Sequence, residues 1–138
     1  MQRELTMSGS LLDTSFVIHI LQGDDVAVEL YKSLEEVYVP VIVIGELLYG
    51  VNKSAKNKQV SNREEINEAI ETLPVLGVDE ETASIYADVK YSLFKAGYTL
   101  PENDIWISAI AKQNDLSVVT YDLHFEHVEG VSVIHLDT

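Results

Sequence analysis

Short apolar runs of strand length alternate along the chain with longer segments in which apolar positions recur every three or four residues. Leu11-Leu12 runs into Asp13 and then into Phe16-Val17-Ile18-His19-Ile20-Leu21, a helical stretch that Gly23 stops. Asp24 and Asp25 open a second helix with Val26, Leu30 and Leu34 on one face. Val37-Tyr38-Val39-Pro40-Val41 reads as a buried strand with Pro40 near its end. The pattern turns helical again from Ile42 to Gln59, and Ser61-Asn62-Arg63-Glu64 has the form of a capping box that starts a separate helix. Val75-Leu76-Gly77-Val78 predicts a short strand. Asp79 caps the following helix, with Glu80 and Glu81 in its first turn, Tyr86, Val89 and Leu93 on its apolar face and Gly97 as its stop. Asn103 or Asp104 opens a helix that reaches Asn114. Leu116-Ser117-Val118-Val119-Thr120 is the clearest strand, and Val131-Ser132-Val133-Ile134 predicts the last.

Strands alternating with helices, without repeat or linker, predict an α/β three-layer sandwich: a mainly parallel sheet of about four or five strands with helices on both faces. Residues 1–8 are expected to form a poorly ordered leader and residues 9–138 one domain, as the length of 138 residues suggests. At 46% hydrophobic and 23% charged residues, the chain is too apolar to be disordered. Its 9 basic and 23 acidic residues leave a net charge of −14, which excludes holding nucleic acid by bulk attraction. An acidic metal site whose cation meets phosphate remains compatible. No cysteine is present, so there is no disulfide framework, thiolate zinc site or thiol nucleophile. The apolar runs are too short to span a membrane, and Met1-Gln2-Arg3-Glu4-Leu5-Thr6 lacks the apolar stretch of a secretion signal. A cytoplasmic protein with no membrane partner is expected.

The acids gain meaning from where they fall. Asp13 follows the first strand, Asp122 follows the strand ending at Thr120, Glu46 lies early in the helix after the second strand, and Asp104 begins a helix. In a parallel sheet the crossover helices start at the strands' C-terminal edge, so all four converge on the rim where such sheets bind ligands. Each also has an ordinary explanation: Asp13 and Asp104 as N-caps, Glu46 as a first-turn acid, Asp122 as a turn residue. Together they crowd like charges that a divalent cation would relieve. Oxygen ligands, with no Cys and no His in an obvious ligand position, favour Mg²⁺ or Mn²⁺. Ser108 and Ala111 on the Asp104 helix, and Gly50 four residues after Glu46, are small enough to let helices approach the sheet. Thr14, Ser15 and Thr120 offer supporting hydroxyls. Among His19, His124, His127 and His135 the only ligand-like spacing is the i, i+3 pair His124/His127, too slight a signal for zinc. Trp106 and Tyr49 read as core residues, and Tyr86, Leu93 and Phe94 as a face for the core or for a dimer. A phosphate-accepting receiver domain would need paired acids after the first strand and a late Lys. A phosphatase would need a second Asp where Ser15 stands.

Four segments carry a family resemblance: Leu11-Leu12-Asp13-Thr14-Ser15, Glu46-Leu47-Leu48-Tyr49-Gly50, Asp104-Ile105-Trp106-Ile107-Ser108-Ala109 and Thr120-Tyr121-Asp122-Leu123-His124-Phe125. In order and spacing they resemble the sequence blocks of the PIN domain, most of all the VapC-like toxin nucleases, over nearly the whole chain. The resemblance implies a Mg²⁺- or Mn²⁺-dependent endoribonuclease that hydrolyses RNA through a metal-activated water, with Asp13, Glu46, Asp104 and Asp122 as catalytic, metal-binding residues. It further implies a homodimer and a small antitoxin partner. Ser15 stands where the family commonly has Asn, and Trp106 where it has a smaller aliphatic residue; both bear on substrate fit and remove no carboxylate. Lys53, Lys56, Lys58 and Arg63 then read either as a solvated helix end or as contacts to the RNA backbone. The rival within the family is a PIN-like module that binds RNA or protein without cutting.

Overall fold

A computed structural model describes residues 9–138; the expected leader 1–8 lies outside the described residues. The chain alternates β1 (Ser10–Leu12), α1 (Thr14–Leu21), α2 (Asp25–Ser33), β2 (Val37–Pro40), α3 (Val41–Lys53), α4 (Gln59–Glu71), β3 (Val75–Leu76), α5 (Glu80–Ala96), α6 (Glu102–Asn114), β4 (Ser117–Thr120) and β5 (Val133–His135). Short 3₁₀ turns occupy Lys56–Lys58 and Leu123–His127. The five strands form one sheet in the order β3-β2-β1-β4-β5, and every pairing is parallel. The expected α/β architecture is therefore present.

The order matters for function. From β1 the chain steps to β2 and β3, then crosses back through α5 and α6 to lay β4 on the other side of β1. Right-handed crossovers in opposite directions put α1–α4 and α5–α6 on opposite faces. The reversal opens a crevice at the C-terminal ends of β1 and β4, which is where an open α/β sheet takes its ligand. Leu11, Leu12, Val118 and Val119 are buried in the two strands that flank it, and Phe16, Val43, Ile107 and Ile110 pack against them from the helices. A second cluster, with Val89 and Leu93 of α5 and Leu100 and Ile105, holds α5 to α6.

Several local expectations change. The helix read from Ile42 to Gln59 breaks at Ser54, whose hydroxyl donates to the Val51 carbonyl (2.6 Å) while Gln59 Nε2 donates to the Ser54 carbonyl (3.1 Å). Helix α4 consequently starts at Gln59, and Ser61 lies inside it, donating to the Lys58 carbonyl (3.2 Å). It caps nothing. On α2 the buried residue is Ala27, whereas Val26 is 63% exposed. Helix α6 begins at Glu102 with Pro101 at its N-cap, so Asp104 is a third-position residue inside the first turn. Tyr49, at 62% exposure, is not a core residue; Trp106 is half-buried and stacks on Tyr86 at 4.0 Å. A Cβ on Gly50 would meet nothing within 4 Å, so that glycine is not needed for a close approach; Ser108 and Ala111, both fully buried, do line a close-packed face.

Candidate functional site

Asp13 leaves β1 at the crevice. Its backbone N–H donates to the Val119 carbonyl of β4 (3.1 Å) and its own carbonyl accepts from Val17 (3.1 Å). It thus stands at the N-cap of α1, yet its side chain makes no capping bond. The carboxylate turns instead to the site, where Oδ2 accepts from Thr120 Oγ1 (2.7 Å) and Ser15 Oγ (3.2 Å). Ser15 Oγ in turn accepts from the Tyr121 N–H (3.1 Å), and Thr120 Oγ1 from the Asp122 N–H (2.9 Å). The two hydroxyls expected beside the site therefore lock Asp13 in place and tie β1 to the segment after β4.

Asp104 reaches the same crevice from the first turn of α6. It is 8% exposed and Asp13 3%. Burial pushes the Asp13 carboxyl up, and the Asp122 charge adds to this, while the Thr120 hydroxyl, the Thr14 N–H and the Ser15 hydroxyl pull the other way. Asp104 is pushed up to about 6, first by burial and then by the Asp13 charge, with Asp122 adding and His124 opposing. Among the described residues no Lys or Arg forms an ion pair with either carboxylate. Asp122, half-buried, completes the group.

Glu46 sits apart from this cluster but on the same rim. It accepts from the Thr14 hydroxyl of α1 and from Asn103 Nδ2 of α6 (3.1 Å), so three elements fix its position. The third expected hydroxyl, Thr14, thus acts on Glu46. Two residues were not legible as parts of the site. Asn103 read only as a helix opener. The sequence offers His124 only as half of a weak pair with His127, and the structure separates the two: His127 stacks on Tyr98 at 3.8 Å, whereas His124 Nδ1 lies 3.3 Å from Asp104 Oδ2 and 3.8 Å from Asp122 Oδ1. Asp104, Asp122 and His124 each offer a ligand atom, and these atoms lie within 4.8 Å of one another. The basic residues stand farther off. Lys53 is seven residues beyond Glu46, a rise of about 10 Å along the helix, and lies over the Tyr49 ring, while Arg63 donates to Asn52 Oδ1 (3.0 Å).

Buried, unneutralised carboxylates at a strand-order reversal have the donor chemistry of a hard-cation site. A family profile, the PIN domain, matches residues 10–131. The chain belongs to the PIN domain family. Similar proteins include the Mycobacterium tuberculosis protein named Ribonuclease VapC5, 28% identical over 137 residues that cover 95% of this chain and 96% of the relative. Another is Toxin FitB of Neisseria gonorrhoeae, 34% identical over 121 residues and covering 81% and 86% of the two chains. Among solved structures, VapBC-5 of M. tuberculosis, a member of the VapBC family of toxin-antitoxin systems, superposes with a TM-score of 0.74. Its identity is 27%, and the match covers 96% of this chain and 100% of that one.

Proposed function

We propose that this PIN domain is a Mg²⁺- or Mn²⁺-dependent endoribonuclease and the toxin of a toxin–antitoxin pair. The observation that carries the reading is the convergence of Asp13, Asp104 and Asp122 in one crevice, with burial that disfavours the charge of Asp13 and Asp104 and, among the described residues, no Lys or Arg paired with either. Asp13, Asp104 and Asp122 would hold the cation, with Glu46 on the rim beside them. When bound, the cation supplies a Lewis acid for a phosphate oxygen and a more acidic water. Ser15 and Thr120 keep Asp13 in one rotamer, so its free energy of ordering is met during folding and not at each catalytic cycle. Thr14 and Asn103 each donate to one oxygen of Glu46, which fixes it on the rim as a candidate proton acceptor. Near neutral pH a proton on Asp104 competes with the cation for the same lone pairs.

The names of the relatives support RNA as substrate and an antitoxin as partner. A groove of about 390 Å³ between α1, α3 and α4, lined by Ile18, Leu21, Leu47, Gly50 and Ile66, runs up to Glu46 and suits an apolar segment of such a partner. The net charge of −14 suits a basic one. Among the described residues no helix is long and apolar enough to cross a membrane, in keeping with action in the cytoplasm. Tyr91 and Phe94, exposed on α5, offer an apolar face for the homodimer included in this reading.

The test is cleavage of single-stranded RNA by the purified protein with Mn²⁺, with Mg²⁺ and with chelator. Wild type should cut only with metal, and Asp13→Asn or Asp104→Asn should lower the rate by at least about a hundredfold. RNA binding without cleavage by wild type would identify a non-catalytic module instead, and full activity of either variant would overturn the site.

A further inference from the structure

His124 brings a nitrogen donor to a rim otherwise built from carboxylates. It is carried on the 3₁₀ turn Leu123–His127, which the fully buried Phe125 pins to the core and which the Val128 N–H closes onto the Phe125 carbonyl (3.1 Å). The backbone that carries the ring is therefore held at the crevice without help from the acids. Its Nδ1 faces both of them, 3.3 Å from Asp104 Oδ2 and 3.8 Å from Asp122 Oδ1. The shorter contact is at the long end for a hydrogen bond, and the longer one is beyond it. A six-coordinate cation with bonds of about 2.1 Å places adjacent donors about 3.0 Å apart and opposite donors about 4.2 Å apart. Both His124 separations fall between those limits, and the three ligand atoms lie within 4.8 Å of one another, so they can close around one ion by adjusting side chains.

We propose that His124 Nδ1 is a ligand of the metal and that it tilts the site from Mg²⁺ toward Mn²⁺ and other transition ions. This deepens the metal-dependent reading above and rests on it. Coordination through Nδ1 leaves the ring proton on Nε2, at the half-exposed side of the ring. Oxygen donors serve both Mg²⁺ and Mn²⁺, whereas imidazole adds affinity chiefly for transition ions. The competing view is that His124 only donates to Asp104 and never meets the ion.

Pulsed electron paramagnetic resonance of the Mn²⁺-loaded protein separates these views. Wild type should show nitrogen modulation from a directly bound imidazole, and His124→Gln should lose it. Calorimetric titration should show the Mg²⁺-to-Mn²⁺ ratio of Kd values falling by about tenfold in the variant. Bound Mn²⁺ without nitrogen modulation in wild type overturns the inference while leaving the metal site standing, and needs no variant to fold. Modulation that persists in His124→Gln overturns it equally. A wild type that binds no Mn²⁺ overturns both the inference and the reading beneath it.

Discussion

Asp104 is an acid folded into a place that prefers it neutral. Its carboxyl is pushed up to about 6, by burial and then by Asp13, against an ordinary value of 3.8. Below about pH 4 the proton is bound in folded and unfolded chains alike, and the group leaves stability unchanged. As the pH rises from there to about 6, the unfolded chain releases its proton while the folded one retains it, so stability falls. Above about 6 the loss is complete and amounts to at most about 3 kcal/mol. In chelator, Asp104→Asn should therefore gain on wild type across this window and be at least as stable at pH 7, while Mn²⁺ should raise the wild-type melting temperature more. Denaturant unfolding of both proteins at pH 4 to 7 checks the sign; a wild type that gains on the variant as pH rises would refute it. The carboxylates were legible because each stands at an element end, where topology alone sends it to the rim. His124 was not, because its position depends on a 3₁₀ turn folded around Phe125. The clamps on Glu46 were not either, since Thr14, Glu46 and Asn103 meet only when α1, α3 and α6 have packed.

The helix that presents Asp104 is itself tied down at its far end. At the start of α5, Asp79 accepts from the Thr82 N–H (3.0 Å) and Thr82 Oγ1 accepts from the Asp79 N–H (3.0 Å), the expected cap in its reciprocal form. Gln113 near the end of α6 joins them through Nε2 to Asp79 Oδ1 (3.0 Å) and through a hydrogen bond to the Thr82 hydroxyl. Thr82 is fully buried, so Thr82→Val keeps the shape and strands these partners. The expected cost is about 1–3 kcal/mol, or a drop of several degrees in Tm, seen by calorimetry, with metal affinity retained. A variant as stable as wild type would show that the network adds nothing. The start of α5 could be read from Asp79, and its stop from Gly97, which adopts a positive φ of 83° there. The junction of α3 and α4 could not. Ser54 and Gln59 bond to nearby backbone and outcompete the cap pattern at Ser61, a contest that local sequence states only as alternatives.

Over the whole molecule, a charge of −14 works against an anionic substrate, so any basic contact that RNA makes is felt strongly in its salt dependence. If Lys53, Lys56 and Lys58 each meet a backbone phosphate, changing all three to Gln should lower the slope of log affinity against log salt by about 2. Mn²⁺-induced stabilisation should not change. Binding isotherms from low to moderate salt decide, and an unaltered slope would leave these lysines as a solvated helix end. The sheet itself was legible as a set of alternating elements, but not the place of the reversal, which is fixed by β1 pairing with β4 in the register Leu11 with Val118 and Leu12 with Val119. Asp13 and Thr120, 107 positions apart, bond across that junction. A ribosome making this chain from its N-terminus releases Asp13 and Glu46 early and Asp104 and Asp122 late, so a nascent chain short of β4 carries three of the four acids but lacks Asp122, Thr120 and the strand that closes the crevice. Nuclease competence is among the last properties that translation confers, and the cell is protected from the growing polypeptide by geometry until its strands can close around the crevice.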